Sequence, residues 1–232
     1  MSISPQLSEF KAGLQAELPL LVGVVPFGMI YGVLAVEAGL LPLEAQAMSV
    51  IVFAGSAQFI LTQLVSAGTP ALVMVLTAAI VNLRHVLYSA SVAPYLRSLR
   101  PAWKFVLAYL LTDEAYAVTI VHFTGSHSSS YLQRHYFLLG SGLALWASWQ
   151  LSTAAGIFLG ALIPASWALD FTLPLIFIAL VVPKITTLAA GTAAITAGVV
   201  SLLTLDMPYR LGLVVAALAG ILVGMLVEGR KA

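Results

Sequence analysis

Cysteine is missing from this 232-residue chain, which excludes disulfides, thiolate metal sites and cysteine nucleophiles. Charge is almost as scarce. Only 8% of residues are Asp, Glu, Lys or Arg, and the net charge is +1, so nothing points to nucleic acid or to an acidic protein partner. Neither a Walker A segment nor an HExxH pair occurs, which removes support for ATP-driven pumping and zinc proteolysis by this chain. No cofactor and no metal are implied. Polar sequence is short as well: the linker from Thr124 to His135, rich in Ser and His, separates long apolar runs with no room between them for a soluble domain.

What the chain has in abundance is apolar surface. It is 61% hydrophobic with a mean hydropathy of +1.04, far from the composition of a soluble domain. Runs close to the ~20 residues that span a bilayer cover Leu18–Val36, Ala45–Ala67, Ala71–Val92, Trp103–Phe123, Tyr136–Ile163, Leu169–Val182, Thr186–Leu205 and Leu211–Val227. The expected fold is all-α: a polytopic membrane helix bundle of seven or eight segments, with the lipid bilayer as its solvent. Residues 1–232 form a single membrane domain on this reading. The polar linker suggests halves at 1–123 and 136–232, a division that suits an inverted repeat.

Gly28 with Gly32, and Gly156 with Gly160, sit in the first helix of each half, a spacing that lets helices approach closely. Ser2–Glu17 reads as a short amphipathic helix on the membrane surface. Leu18–Val36 reads as a retained first helix rather than a removed signal. The basic cluster of Arg97, Arg100 and Lys104 conflicts with single crossings by every run from a cytoplasmic start. A broken or re-entrant segment between Ala45 and Val92 relieves that conflict, as does an N-terminus on the outside.

Ionisable clusters inside these runs carry the functional signal. Asn82-Leu83-Arg84-His85 interrupts one, Thr112-Asp113-Glu114 another, and Lys184 follows Pro183 at the end of a third. Arg84, Asp113 and Glu114, unpaired near mid-bilayer, would together cost about 8–10 kcal/mol. They need partners, a wet cavity or a polar ligand. Arg84 cannot shed its charge; it can grip a substrate carboxylate in a bidentate contact or pair structurally with Asp113 or Glu114. His85 titrates near neutrality when unperturbed and is a proton relay or a hydrogen-bonded structural residue. Asp113 and Glu114 point about 100° apart on a helix, so one can pair with Arg84 while the other meets an ammonium or a coupling proton. On a continuous helix Asp113 also shares a face with Tyr109, Tyr116 and Ala117.

Gly55, Ser56 and Gln58 lie in mid-run. A helix break there would expose N–H groups able to hold a carboxylate; close packing at Gly55 and Ser56, with Gln58 bonded across an interface, is the alternative. Asp170, Pro174, Pro183 and Lys184 frame a short or interrupted sixth segment, with Lys184 snorkelling to the interface. Ser56 with His85 can also be read as an intramembrane serine dyad.

The segments FAGSAQF, NLRHVLY, TDEAYA and DFTLPLIFIALVVP, in that order and spacing, resemble the AzlC family of branched-chain amino-acid exporters. The likeness runs from about Leu18 to Glu228. It implies the large subunit of a two-component permease, with a small AzlD-type membrane subunit as partner. The implied substrates are valine, leucine, isoleucine or methionine, exported across the bacterial inner membrane. The matching segments contain Gly55, Ser56, Gln58, Asn82, Arg84, His85, Asp113 and Glu114. The substrate-binding candidates are Gly55, Ser56, Gln58, Asn82, Arg84, Asp113 and Glu114; those for proton coupling are His85, Asp113 and Glu114. A channel or scaffold subunit, using the same charges as glue between helices, is the alternative.

Overall fold

The computed structural model describes residues 4–125, 133–160, 182, 185–207 and 211–229. Among these the chain is helical, with no strand. The helices are α1 (Pro5–Glu37), α2 (Pro42–Val52), α3 (Gly55–Ser66), α4 (Ala71–Val81), α5 (Leu83–Val92), α6 (Pro101–Leu110), α7 (Asp113–Thr124), α8 (His135–Gly160), α9 (Leu188–Leu203) and α10 (Leu211–Gly229). The all-α membrane fold read from composition is the fold observed. Pro5, Pro42 and Pro101 open α1, α2 and α6, where their fixed φ suits the first turn and no N–H is missed. Leu18, Val22, Ile51, Phe105 and Phe158 are exposed. Apolar surface of that extent is stable against lipid. The sixth run, with Asp170, Pro174, Pro183 and Lys184, and most of the polar linker lie outside the described residues.

Contacts divide the chain into two compact units, Met1–Ser66 with Ala78–Leu162, and Ala67–Thr77 with Ile163–Ala232. In the second, α9 and α10 form an antiparallel hairpin. Gly220 lies against Ala193 and Ala197, and Gly224 against Ala189 and Ala193. Thr187 caps α9 by accepting the Ala190 N–H at 3.1 Å.

The first unit is built on α1 and α8. A Cβ on Gly13 would strike the Phe137 carbonyl, one on Gly28 the Ser152 hydroxyl, and one on Gly156 the Met29 carbonyl. The small residues at 28, 32 and 156 thus bring these two helices together, as their spacing suggested, and contact numbers rise together along both. The helices therefore run parallel. Equivalent helices related by a two-fold axis in the membrane plane run antiparallel, so α1 and α8 are not equivalents of that kind.

A separate surface helix at Ser2–Glu17 does not form. α1 is continuous for 33 residues, about 50 Å at 1.5 Å per residue, with Pro19 and Pro26 inside it. Membrane helices tolerate such prolines where neighbouring groups satisfy the freed backbone. The physical reason for the correction lies in Glu9, Gly13 and Glu17. All three are buried and share a stripe at i, i+4, i+8 that packs inward instead of meeting headgroups.

Candidate functional site

Three apolar runs are interrupted where the sequence placed its polar clusters. α2 ends at Val52 and α3 begins at Gly55. The turn is made by Phe53, whose φ of 35° and ψ of 49° are left-handed, a conformation costing a non-glycine residue about 1–3 kcal/mol. The Phe53 ring is buried and lies 5.7 Å from that of Tyr109, so packing holds the strained backbone. Asn82 separates α4 from α5 by one residue. Leu111 and Thr112 separate α6 from α7.

The break at Leu111–Thr112 corrects one expectation. Asp113 is the first residue of α7, and Tyr109 lies on α6 across the break, so the two share no helical face. Tyr109 instead donates to the Val50 carbonyl at 2.6 Å and accepts from Trp146 Nε1 at 2.8 Å. Tyr116, on α7, donates to Ser91 Oγ at 3.0 Å and stacks on Tyr88 with ring centres 4.5 Å apart.

Arg84 joins the two new helix starts. Its Nη1 forms an ion pair and hydrogen bond with Asp113 Oδ2, and its Nη2 donates to Ser56 Oγ at 2.6 Å. One guanidinium therefore touches the first turns of both α3 and α7. In α3 the first intrahelical turn is closed by Gln58 N–H on the Ala54 carbonyl at 2.9 Å, and the N–H groups ahead of it have no helical acceptor. Both starts present positive dipole ends. The acidic first turn of α7, Asp113 and Glu114, complements its own dipole.

Arg84 and Asp113 side chains keep 30% and 29% of their exposure. Their remaining capacity is unspent. Among the described residues Arg84 Nε, Asp113 Oδ1, Asn82 Oδ1, Thr112 Oγ1 and Gln58 Nε2 are buried atoms without a hydrogen-bond partner. A buried polar group left unmatched costs about 1–3 kcal/mol, and two of these atoms, Arg84 Nε and Asp113 Oδ1, belong to the ion pair itself, so the pair keeps a donor and an acceptor for a polar ligand.

Trp149 of α8 roofs the α3 start. Its ring edge comes within 3.0 Å of where a Gly55 Cβ would stand, its Nε1 donates to Gln58 Oε1 at 3.1 Å, and it stacks on Tyr31. Gly55 is thus the residue that lets the indole close over the break. Gln58 itself is fully buried and bonds across the α3–α8 interface. His85 lies within electrostatic reach of both Arg84 and Asp113, with its ring edge-on to Tyr88 at 5.8 Å. The Ser56 hydroxyl accepts from Arg84, and among the described residues no hydrogen bond joins it to His85. Alongside the α6–α7 break is an apolar cavity of about 180 Å³, whose walls include Val92, Leu107, Ala108 and Leu111.

Sequence reasoning brought Ser56, Arg84 and Asp113 forward, and the fold unites them. It missed Trp149, which looked like one more aromatic in an apolar run. It also set Glu17 aside as surface charge, though the spacing of Glu9, Gly13 and Glu17 was the available signal. Glu17 is fully buried, and neither of its carboxyl oxygens has a hydrogen-bond partner among the described residues.

A family model described as AzlC protein matches residues 19–163, a stretch holding all three interrupted runs. The chain belongs to the AzlC family. This AzlC-family chain is 27% identical to the inner membrane protein YgaZ of Escherichia coli strain K12, over 96% of its own length and 91% of that protein's. It is 31% identical to an uncharacterized membrane protein of Archaeoglobus fulgidus, covering 91% of the AzlC-family chain and 92% of the relative. An uncharacterized membrane protein of Helicobacter pylori is 31% identical over 48% of this chain and 49% of that one. No solved structure matches. The AzlC-family chain is thus a helical membrane protein, and its ion pair lies inside the family's matched region.

Proposed function

We propose that this chain is a secondary transporter that exports branched-chain and similar apolar amino acids, valine, leucine, isoleucine and methionine among them. It works in the bacterial inner membrane as a multi-pass subunit beside a small AzlD-type partner. The observation that carries this reading is Arg84, held between the starts of α3 and α7 with a donor and an acceptor of the pair unused. A zwitterion matches that arrangement. Its carboxylate meets Arg84 Nε or the free N–H groups at the start of α3, and its ammonium meets Asp113 Oδ1 or the Glu114 carboxylate. The apolar cavity beside Leu111 supplies surface for an aliphatic side chain. One methylene there is worth only ~1–3 kcal/mol, so several aliphatic amino acids share the route. A proton gradient drives the export.

One observation favours a second reading. The Arg84–Asp113 pair is already formed, as it would be if its task were to hold α5 to α7 in a channel or scaffold subunit. Counterflow in proteoliposomes separates the two. The chain is reconstituted with and without its small partner, and exchange of labelled valine, leucine, isoleucine and methionine is followed. Saturable exchange that disappears in Arg84→Ala and in Asp113→Ala supports the transporter. Wild-type exchange in the charge-swapped Arg84→Asp/Asp113→Arg protein supports the scaffold reading, because glue survives exchange of its ends and a substrate site does not.

A further inference from the structure

The α1–α7 seam holds a set of ionisable groups that the substrate site does not use. Glu9 Oε2 and His122 Nε2 share a hydrogen bond of 2.9 Å at one end. At the other, the Glu17 carboxyl lies within electrostatic reach of Glu114. Glu9 and Glu17 are eight residues apart on α1, as are His122 and Glu114 on α7, so the helices run antiparallel and the two pairs are about 12 Å apart. Between them Thr119 of α7 is fully buried, and its Oγ1 has no hydrogen-bond partner among the described residues.

Glu17 is the unusual member. It is fully buried and neither oxygen is hydrogen-bonded among the described residues. Few charges surround it. α8, packed along α1, begins at His135, with buried Arg134 just before it donating to the Phe123 carbonyl at 3.0 Å; from Tyr136 to Gly160 it has no acidic or basic side chain, and α3 has none at all. α2 contributes only Glu44, which is exposed and occupied with the Leu41 N–H at 2.9 Å. α7 contributes Glu114, Asp113 and His122, and the positive charge nearest in sequence to α1's own acids, Lys11, is exposed. Arg84 of α5 is paired with Asp113. Among the described residues no group of three or more His, Asp or Glu side chains could hold a metal ion. A carboxylate without donors is costly to bury, and a neutral carboxylic acid far less so.

We infer that Glu17 is the site of the coupling proton, with the Glu9–His122 pair as its gateway and the Asp113–Glu114 start of α7 as its outlet. A proton arrives on His122, passes through intervening groups that include the Thr119 hydroxyl, and forms the O–H bond of the Glu17 carboxylic acid. Its release to Glu114 breaks that bond and restores the carboxylate; one proton enters, one leaves, and no electron moves. Substrate and proton thereby meet at α7, which is how one gradient can drive the other. The assignment rests on the transport reading above.

Glu17→Gln, which keeps size and shape, tests it in two ways. In the reconstituted complex, Glu17→Gln is expected to exchange amino acid at equal concentrations within about 2-fold of wild type, yet to lose accumulation driven by a pH gradient. Separately, the infrared difference spectrum of the purified protein, titrated between acid and base, is expected to show a protonated-carboxyl C=O band that Glu17→Gln lacks. Gradient-driven accumulation by Glu17→Gln, absence of a gradient effect in wild type, or an unchanged carboxyl band in the variant each overturns the inference. Absence of amino-acid exchange in wild type, with the carboxyl band present and removed by Glu17→Gln, overturns the substrate reading and leaves Glu17 as a proton site.

Discussion

Arg84 shows how much one side chain does in a low-dielectric interior. Its two Nη groups serve acceptors on different helices, a geometry that a planar fork provides and a single ammonium does not. Arg84→Lys keeps the charge and loses one of the two contacts. A hydrogen bond to a charged group is worth about 1.5–3 kcal/mol. The amino-acid counterflow rate of Arg84→Lys at low substrate should accordingly fall roughly 10–100-fold, with protein yield near wild type. The stability cost of Arg84→Ala lies between the ~1 kcal/mol of an exposed pair and the ~3–5 kcal/mol of a fully buried one, since each side chain is about 30% exposed. Thermal unfolding in detergent measures it. Gln58→Leu is a sharper test of burial, because it leaves the Trp149 indole N–H without its acceptor. A loss of about 1–3 kcal/mol is expected in the same assay.

At the level of elements, breaks and close approaches set the architecture. The breaks at Phe53–Ala54 and Leu111–Thr112 put helix starts, rather than helix sides, around the ion pair. The first was legible because Gly55, Ser56 and Gln58 weaken an apolar run. The second was not, because Thr112-Asp113-Glu114 is as compatible with an uninterrupted polar turn as with a new N-terminus, and only packing selects between them. Close approach of α1 and α8 depends on Gly28, Gly32 and Gly156, where any side chain would meet partner atoms. For Gly32 and Gly156 those atoms are backbone, which cannot swing aside. Gly156→Val should cost at least the ~1–3 kcal/mol of overpacking. Gly23→Ala, at a helix-interior position with open space around it, should raise the melting temperature slightly, since alanine is favoured over glycine there by about 0.5–1 kcal/mol.

For the whole molecule, lipid is part of the structure. Val22 of α1 and Phe158 of α8 are about four-fifths and three-quarters exposed, at 79% and 76%, though their helices form the centre of the first unit. The chain lacks cysteine, so single reporters can be introduced without background. A cysteine at Val22 should resist a membrane-impermeant maleimide in intact vesicles and react with a lipid-soluble one. Equal labelling by both reagents would place that face of α1 in water.

Composition and run length determined that this is a helical membrane protein: 61% of residues are hydrophobic, in runs near the ~20 residues of a spanning helix rather than the alternating segments of a barrel. The polar islands also named Ser56, Arg84 and Asp113, since charge is too costly in hydrocarbon to be incidental. Tertiary structure decided the rest. It chose Asp113 as the partner of Arg84, placed Trp149 over Gly55, and turned Glu9 and Glu17 from surface charges into buried ones. Sequence spacing fixes which residues share a helical face, but only the packing of that face against α7 and α8 determines whether a carboxylate meets water, a cation or another acid.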